Sequence, residues 1–401
     1  MERDLTQFLR VIRDSALKKR RGKPIPRKRI PMQSEAEVQS KLVRIGKQVW
    51  RGLPYIKKEF SRKLSVKTGK VLAAPQMYYV IFSGRCNVAC TFCTIHKEVE
   101  PTLSGEVMLR IVREAHDLSG SGFNISFSGG EPLIYKPLYE VLELAQKLNV
   151  NFGFTTNGYL LTKQNVARAL EANLFNINVS IESVEPAVNE SVRPRKNGTQ
   201  QTLEGIDNLV EEKRRKRARV AIMVKTTIME QNYRSLPQLV RYFSRYPEIQ
   251  VSMQPYMGPL ESGFWVKDAN EFDRVMQELK ALRCSGAGLM ADAGTLDGFT
   301  QYFRHAPKGG PVARLKLNGE KRGCDIGYRT LSIFPNGSVQ FCDLLERDIG
   351  NMHQQNLSEM YYGEIAQRLR KRIDHCDIDC QRTCQRAIPI SSKMRAFLRM
   401  G

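Results

Sequence analysis

From Met77 onward, short apolar runs alternate with longer amphipathic stretches, and the alternation repeats six times. Met77–Phe82, Asn124–Phe127, Val150–Thr155, Phe175–Ile181, Val220–Ile228 and Ile249–Gln254 read as strands. Between and after them, Gly105–Ser119, Lys136–Leu148, Lys163–Ala172, Thr202–Lys213, Arg234–Tyr246 and Ala269–Leu282 space their apolar residues as helices do. Six β/α units with short connections predict an α/β fold, a parallel sheet covered by helices. Right-handed crossovers curl such a sheet toward a barrel, with working residues at the carboxyl ends of its strands.

The flanks break this rhythm. Residues 1–70 show little strand patterning and hold 21 Lys and Arg against 6 Asp and Glu, an excess of 15 within the chain's net +22. Lys18–Arg29, with eight basic residues, Pro24 and Pro26, reads as a flexible linker. Leu42, Ile45, Val49, Trp50, Leu53 and Ile56 recur at helical spacing among basic residues until Pro54 interrupts them. Such a segment either packs on the barrel or lies on an anionic membrane surface. Residues 71–284 carry the β/α units and residues 285–401 a smaller C-terminal domain. There Thr330–Phe334 and Ser338–Cys342 flank Pro335-Asn336-Gly337, a hairpin signal.

Composition narrows the class. No run of eighteen apolar residues occurs, so no transmembrane helix is expected. Met1-Glu2-Arg3-Asp4 leads into no apolar signal core, which predicts a cytoplasmic location. Nine cysteines in such a chain predict metal thiolates rather than disulfides. Cys284, alone after a helical run, reads as a buried structural thiol. The net charge predicts an anionic partner: a phosphorylated or nucleotide-sugar small molecule, a lipid-linked intermediate, or a membrane met peripherally. Nucleic acid is disfavoured, because the basic arm interleaves few aromatics beyond Trp50, Tyr55 and Phe60.

The chemistry centres on Cys86, Cys90 and Cys93, a C-x3-C-x2-C triplet directly after the first strand-like run. Three thiolates can hold three corners of a 4Fe–4S cluster, whereas a cluster that only carries electrons normally has four. The iron left open can bind a substrate or cofactor, as an open catalytic metal site does. A zinc knuckle completed by His96 is the alternative. Ser128-Gly129-Gly130-Glu131-Pro132 follows the second run.

The triplet, with Phe92 before its last cysteine, and the GGEP stretch together resemble the signatures of the radical S-adenosylmethionine (SAM) enzymes. The resemblance implies that family's partial (β/α)6 TIM-like barrel, and reductive cleavage of SAM to a 5′-deoxyadenosyl radical that abstracts a substrate hydrogen. It implies Cys86, Cys90 and Cys93 as ligands of the open cluster, and flavodoxin or ferredoxin as reductant. It also implies SAM contacts: Phe92 beside the adenine, Gly129, Gly130 and Glu131 at the amino group, Ser180 at ribose or carboxylate, and Arg193 on the carboxylate. Asn157 reads as a turn former, and Glu182 stands where the family commonly has aspartate.

Cys324 and Cys342 bracket the predicted hairpin, and Cys376-x3-Cys380-x3-Cys384 follows. This arrangement resembles the Twitch and SPASM extensions of the same family, which carry auxiliary clusters, with the one-cluster Twitch form the better match to five cysteines. Five cysteines suffice for one further 4Fe–4S cluster, with Cys324, Cys342 and two or three of Cys376, Cys380 and Cys384 as ligands; zinc with His375 is the alternative. A fully ligated cluster would accept the electron left on a substrate radical, and one with an open iron would bind substrate. The expected substrate is an anionic small molecule. A peptide or protein is the alternative, and an RNA-modifying enzyme or a non-enzymatic iron–sulfur protein are further ones.

Overall fold

The computed structural model describes residues 57–97, 101–172, 174–305, 324–342, 345 and 347–373. The expectations for Lys18–Arg29, for Leu42–Ile56 and for Cys376, Cys380 and Cys384 lie outside these residues. Nine strands form one sheet in the order β6-β5-β4-β3-β2-β1-β7-β8-β9. They are β1 (Met77–Ile81), β2 (Asn124–Ser128), β3 (Asn151–Thr156), β4 (Asn176–Ser180), β5 (Ala221–Ile228), β6 (Ile249–Pro255), β7 (Thr330–Ile333), β8 (Ser338–Gln340) and β9 (Asp348–Asn351). The first six pair in parallel, each with its sequence neighbour. The α/β barrel read from the sequence is therefore present, with strand ends within about two residues of expectation.

The two faces of this sheet differ sharply. Val80, Phe127, Phe154, Val179 and Val224 are fully buried, as are Met108, Ile111, Val166, Leu209 and Leu239 from the covering helices. The opposite face runs from buried at Gly153, Asn176 and Asn178 to half-buried at Ser180, Lys225 and Thr227, and its rows are fixed by register. Ser126 pairs with Gly153 and Gly153 with Asn176; Thr155 pairs with Asn178; Ser180 pairs with Lys225 and Lys225 with Ser252; Thr227 pairs with Gln254. A closed eight-stranded barrel fills its interior with layers of branched apolar side chains. Here many of the same positions carry hydroxyls and amides, with Tyr79, Met223 and Lys225 among them, so the partial barrel encloses a largely polar hollow. Thr227 and Gln254 both face it.

Two features depart from the sequence reading. Core packing continues past Cys284, which is itself exposed rather than buried as expected, because it ends a helix on its solvent side. The chain after Cys284 returns to β6, where Val251 donates its N–H to the Gly288 carbonyl at 2.7 Å, and then forms a helix, Ala293–His305. That helix buries Leu296, Phe299, Tyr302 and Phe303 in the barrel's own core. Gly294 and Gly298 lower its local helix propensity, which masks the apolar spacing. The hairpin of β7 and β8 is present, with Gly337 at φ 81° in its turn, and β7 lies parallel to β1 from Met77↔Thr330 to Val80↔Ile333. It thus extends the barrel sheet at its β1 edge.

At the amino end, residues 57–68 form a helix. It packs through its polar face. Arg62 donates to Gln76 Oε1 at 2.8 Å and pairs with Glu59 and with Asp325, the latter at 2.8 Å, whereas Phe60 is 69% exposed. Packing on the barrel is what this described part of the basic extension does, through charge rather than apolar contact. Among the described residues no helix is long and apolar enough to cross a membrane.

Candidate active site

β1 ends at Ile81, and the cysteine loop begins at once. The GGEP stretch runs beside it: Gly130 donates its N–H to the Ser83 carbonyl at 2.7 Å, and Glu131 donates to the Arg85 carbonyl at 3.0 Å. A Cβ on Gly130 would sit 1.6 Å from the Arg85 oxygen. Gly129 holds φ at 121°, which favours glycine. The two motifs are therefore hydrogen-bonded to one another. The glycines answer to the close approach of the cysteine loop, and the N–H groups of Gly130 and Glu131 are already engaged.

On its other side the loop is pinned to a short helix, Pro186–Val192, through Thr91 N–H donating to the Val192 carbonyl at 3.0 Å. Cys86, Phe92 and Cys93 pack against buried Val88, Cys90 and Tyr159, so the three thiols share one small apolar cluster. Burial raises the Cys86 thiol above its ordinary range and pushes Cys90 up to about 11, against the pull of Arg193; the neighbouring thiols add to the rise. Thiols such as Cys86 and Cys90 that resist deprotonation become thiolates beside strong positive charge, which an iron–sulfur core supplies. The donor set fits a 4Fe–4S cluster held at three corners.

Glu131 is 1% exposed and turned into the protein. Its carboxylate accepts from Thr156 Oγ1 at 2.7 Å, Leu133 N at 3.1 Å and Asn157 N at 2.8 Å. Asn157 does form a turn, its Oδ1 accepting from Tyr159 N at 3.1 Å. It also reaches the cysteines: its Nδ2 donates to Asn87 Oδ1 at 2.6 Å and lies 3.9 Å from Cys86 Sγ.

Arg193 lies elsewhere than on open space over the hollow. It is buried, and its Nε and Nη2 donate to Glu182 Oε1 at 3.2 and 2.7 Å. Its Nη1 donates to Cys90 Sγ at 3.5 Å, and its guanidinium sits 5.5 Å from the Phe92 ring centroid. Burial works against its charge, yet Glu182 and Cys90 hold its pKa above the ordinary value. The expectation that Arg193 meets a cofactor carboxylate overlooked this partner, because spacing along the chain does not reveal that the side chain folds back across a helix end onto Glu182. Ser180 is half-buried at the end of β4, facing the hollow beside Lys225. Lys225 belongs to no motif, although the alternation in Ala221–Ile228 puts it on the same face as Thr227. Phe92 packs edge-on against Phe264, with centroids 6.4 Å apart. Cys324 and Cys342 are half-buried against the main core at either end of the hairpin segment.

A family model for the radical SAM superfamily matches residues 80–242 and takes in both motifs, and one for an iron-sulfur cluster-binding domain, SPASM, matches residues 324–385. The chain is a radical SAM enzyme. Its cofactors are SAM and 4Fe–4S clusters. The second match begins at Cys324 and spans all five C-terminal cysteines.

Relatives of this radical SAM enzyme include an AdoMet-dependent heme synthase of Oleidesulfovibrio alaskensis, 25% identical over 69% of this chain and 71% of the relative. The mitochondrial GTP 3′,8-cyclase of Arabidopsis thaliana is 33% identical, but over only 32% of this chain and 33% of the relative. In fold it is similar to SuiB of Streptococcus suis bound to the precursor peptide SuiA, with a TM-score of 0.58, 16% identity, and coverage of 92% of this chain and 80% of that one. It is also similar to anSMEcpe with bound AdoMet and a Cp18Cys peptide, with a TM-score of 0.55, 16% identity, and coverage of 81% and 87%.

Proposed function

We propose that this enzyme abstracts a hydrogen atom from a peptide and completes an oxidation. The lining of the hollow carries this reading. Asn176 donates to Asn178 Oδ1 at 2.8 Å, and Asn178 donates to Thr155 Oγ1 at 3.0 Å, with Gly153 leaving room for Asn176. Ser180, Ser252, Thr227 and Gln254 continue this polar surface around Lys225. A peptide brings N–H and C=O groups that need partners once they leave water, and amides and hydroxyls provide them. SuiB and anSMEcpe, solved with peptides, have the same fold and support the reading.

When bound at Cys86, Cys90 and Cys93, a cluster with SAM would supply the hydrogen-abstracting radical chemistry, and a second cluster would supply the acceptor for the remaining electron as a proton leaves. The ligands of that second cluster are Cys324, Cys342 and two or three of Cys376, Cys380 and Cys384. Lys225 and Ser180, a cation and a hydroxyl on paired strands, receive the SAM carboxylate, as charge-assisted hydrogen bonding favours. Phe92 and Gly129 would meet the adenine and the amino group, while Gly130 and Glu131 hold the cysteine loop from behind. The accompanying proposals are a cytoplasmic location, electrons from flavodoxin or ferredoxin, and contact of the basic residues 1–70 with an anionic membrane surface.

The test is anaerobic turnover with SAM, dithionite and either a peptide library or phosphorylated metabolites. Peptide-dependent 5′-deoxyadenosine, with a peptide product lighter by two hydrogens, is the expected result. Cys93→Ala should abolish 5′-deoxyadenosine formation. Cys342→Ala should preserve it, stop product formation and lower iron from about eight to about four per chain. A second reading, an anionic small molecule, is favoured by Lys225 in the hollow, by the net charge of +22 and by the GTP-directed name of one set of relatives. Stimulation by nucleotides and by no peptide would replace the first reading with the second.

A further inference from the structure

We infer that Arg193 is a positioning residue for the Cys90 cluster ligand, held in place by Glu182, and that it makes the three-cysteine cluster easier to reduce. The guanidinium is a fork with separate duties. Nε and Nη2 grip Glu182 Oε1, and Nη1 points at Cys90 Sγ, 3.5 Å away. Glu182 cannot follow a swinging arginine, because its Oε2 accepts from Thr226 Oγ1 at 2.9 Å and Thr227 N at 2.7 Å. Arg193 is anchored at its backbone as well, donating its N–H to the Asn189 carbonyl at 2.8 Å.

The cysteine loop is fixed at the same place, where Thr91 meets the Val192 carbonyl through both its N–H, at 3.0 Å, and its Oγ1, at 3.3 Å. Loop and guanidinium are therefore tied to the same helix end, and the N–H···S contact is built rather than incidental. A donor aimed at a ligating sulfur draws charge from it and stabilises the more negative, reduced cluster; such hydrogen bonds and nearby charges set cluster potentials. Asn157 Nδ2, 3.9 Å from Cys86 Sγ, offers a weaker second donor. Lysine carries the same charge but cannot serve carboxylate and sulfur together.

The inference rests on Cys86, Cys90 and Cys93 being the ligands of the open cluster. The test uses the full chain, reconstituted anaerobically in a Cys342→Ala background so that the first cluster is read alone. Iron content comes first: if Cys93→Ala in that background keeps its iron, the ligand assignment itself has failed. Potentiometric titration followed by electron paramagnetic resonance then compares Arg193→Lys and Glu182→Asp, which keeps the charge but shortens its reach, with the parent. Both variants should retain iron and shift the midpoint downward. For Arg193→Lys the ratio of reduced to oxidised cluster at a fixed potential should fall about tenfold, equivalent to about 59 mV for one electron. Unchanged midpoints in both variants, with SAM affinity lost in Arg193→Lys, would assign Arg193 to the cofactor and overturn the inference. If Arg193→Lys loses its cluster, Glu182→Asp decides alone.

Discussion

The carboxyl ends of the strands use one device twice, at Glu131 after β2 and at Glu182 after β4. Each carboxylate is 1% exposed, and each reaches sideways to the next strand to accept from a threonine hydroxyl and the backbone N–H that follows it. For Glu131 these are Thr156 and Asn157, at 2.7 and 2.8 Å; for Glu182 they are Thr226 and Thr227, at 2.9 and 2.7 Å. The difference is the counter-charge. Glu182 is ion-paired with Arg193 at 2.7 Å, whereas every hydrogen-bond donor to Glu131 is neutral. Burial accordingly raises the pKa of Glu131 even though Asn157, Thr156 and Leu133 all donate to it. A carboxylate served by neutral groups can tie two strands together. One served by a guanidinium can also carry an N–H donor across to a cysteine sulfur.

The contrast predicts unequal costs. Glu182→Ala strands a buried guanidinium, and losing one partner of a buried pair typically costs about 3–5 kcal/mol. Denaturant unfolding should show this as a lower midpoint at unchanged slope. Glu131→Gln strands no charge. Its amide nitrogen would confront the Asn157 N–H, so one buried donor goes unsatisfied, at a cost of about 1–3 kcal/mol. If the Glu131 variant proves the more damaging of the two, the clamps do not differ in the way their partners indicate.

Much of this arrangement was legible in the sequence because it is local. Six strands and their helices follow from period-two and period-3.6 patterning, and the triplet and the GGEP stretch each sit directly after a strand. What stayed hidden depends on residues far apart in the chain. The pairing of β7 with β1 joins positions about 250 residues apart, and no local pattern encodes it. Thr226 and Thr227 are the same residue type, yet one is buried on Glu182 and the other faces the hollow, which only strand parity decides. The glycines at 129 and 130 could be recognised as a motif. Their physical cause, the cysteine loop pressed against them, required the fold.

The smallest expected effect isolates the bare clamp. An acid whose pKa is raised on folding holds its proton more tightly in the native state, so it adds stability at acid pH where both states are protonated. That contribution disappears as pH rises from the unfolded value of Glu131 through its higher folded one. Glu248, Glu271 and Asp268, all lowered by hydrogen bonds to Arg214, to Arg234 and to backbone N–H groups respectively, push the other way and are common to parent and variant. Subtracting the stability curve of Glu131→Gln from that of the parent therefore leaves the Glu131 contribution, since glutamine does not titrate. The difference should favour the parent most at low pH and shrink as pH climbs past the ordinary carboxylate range. A difference that grows with pH would mean that the three neutral donors outweigh burial, and the two clamps would then be electrostatic equals.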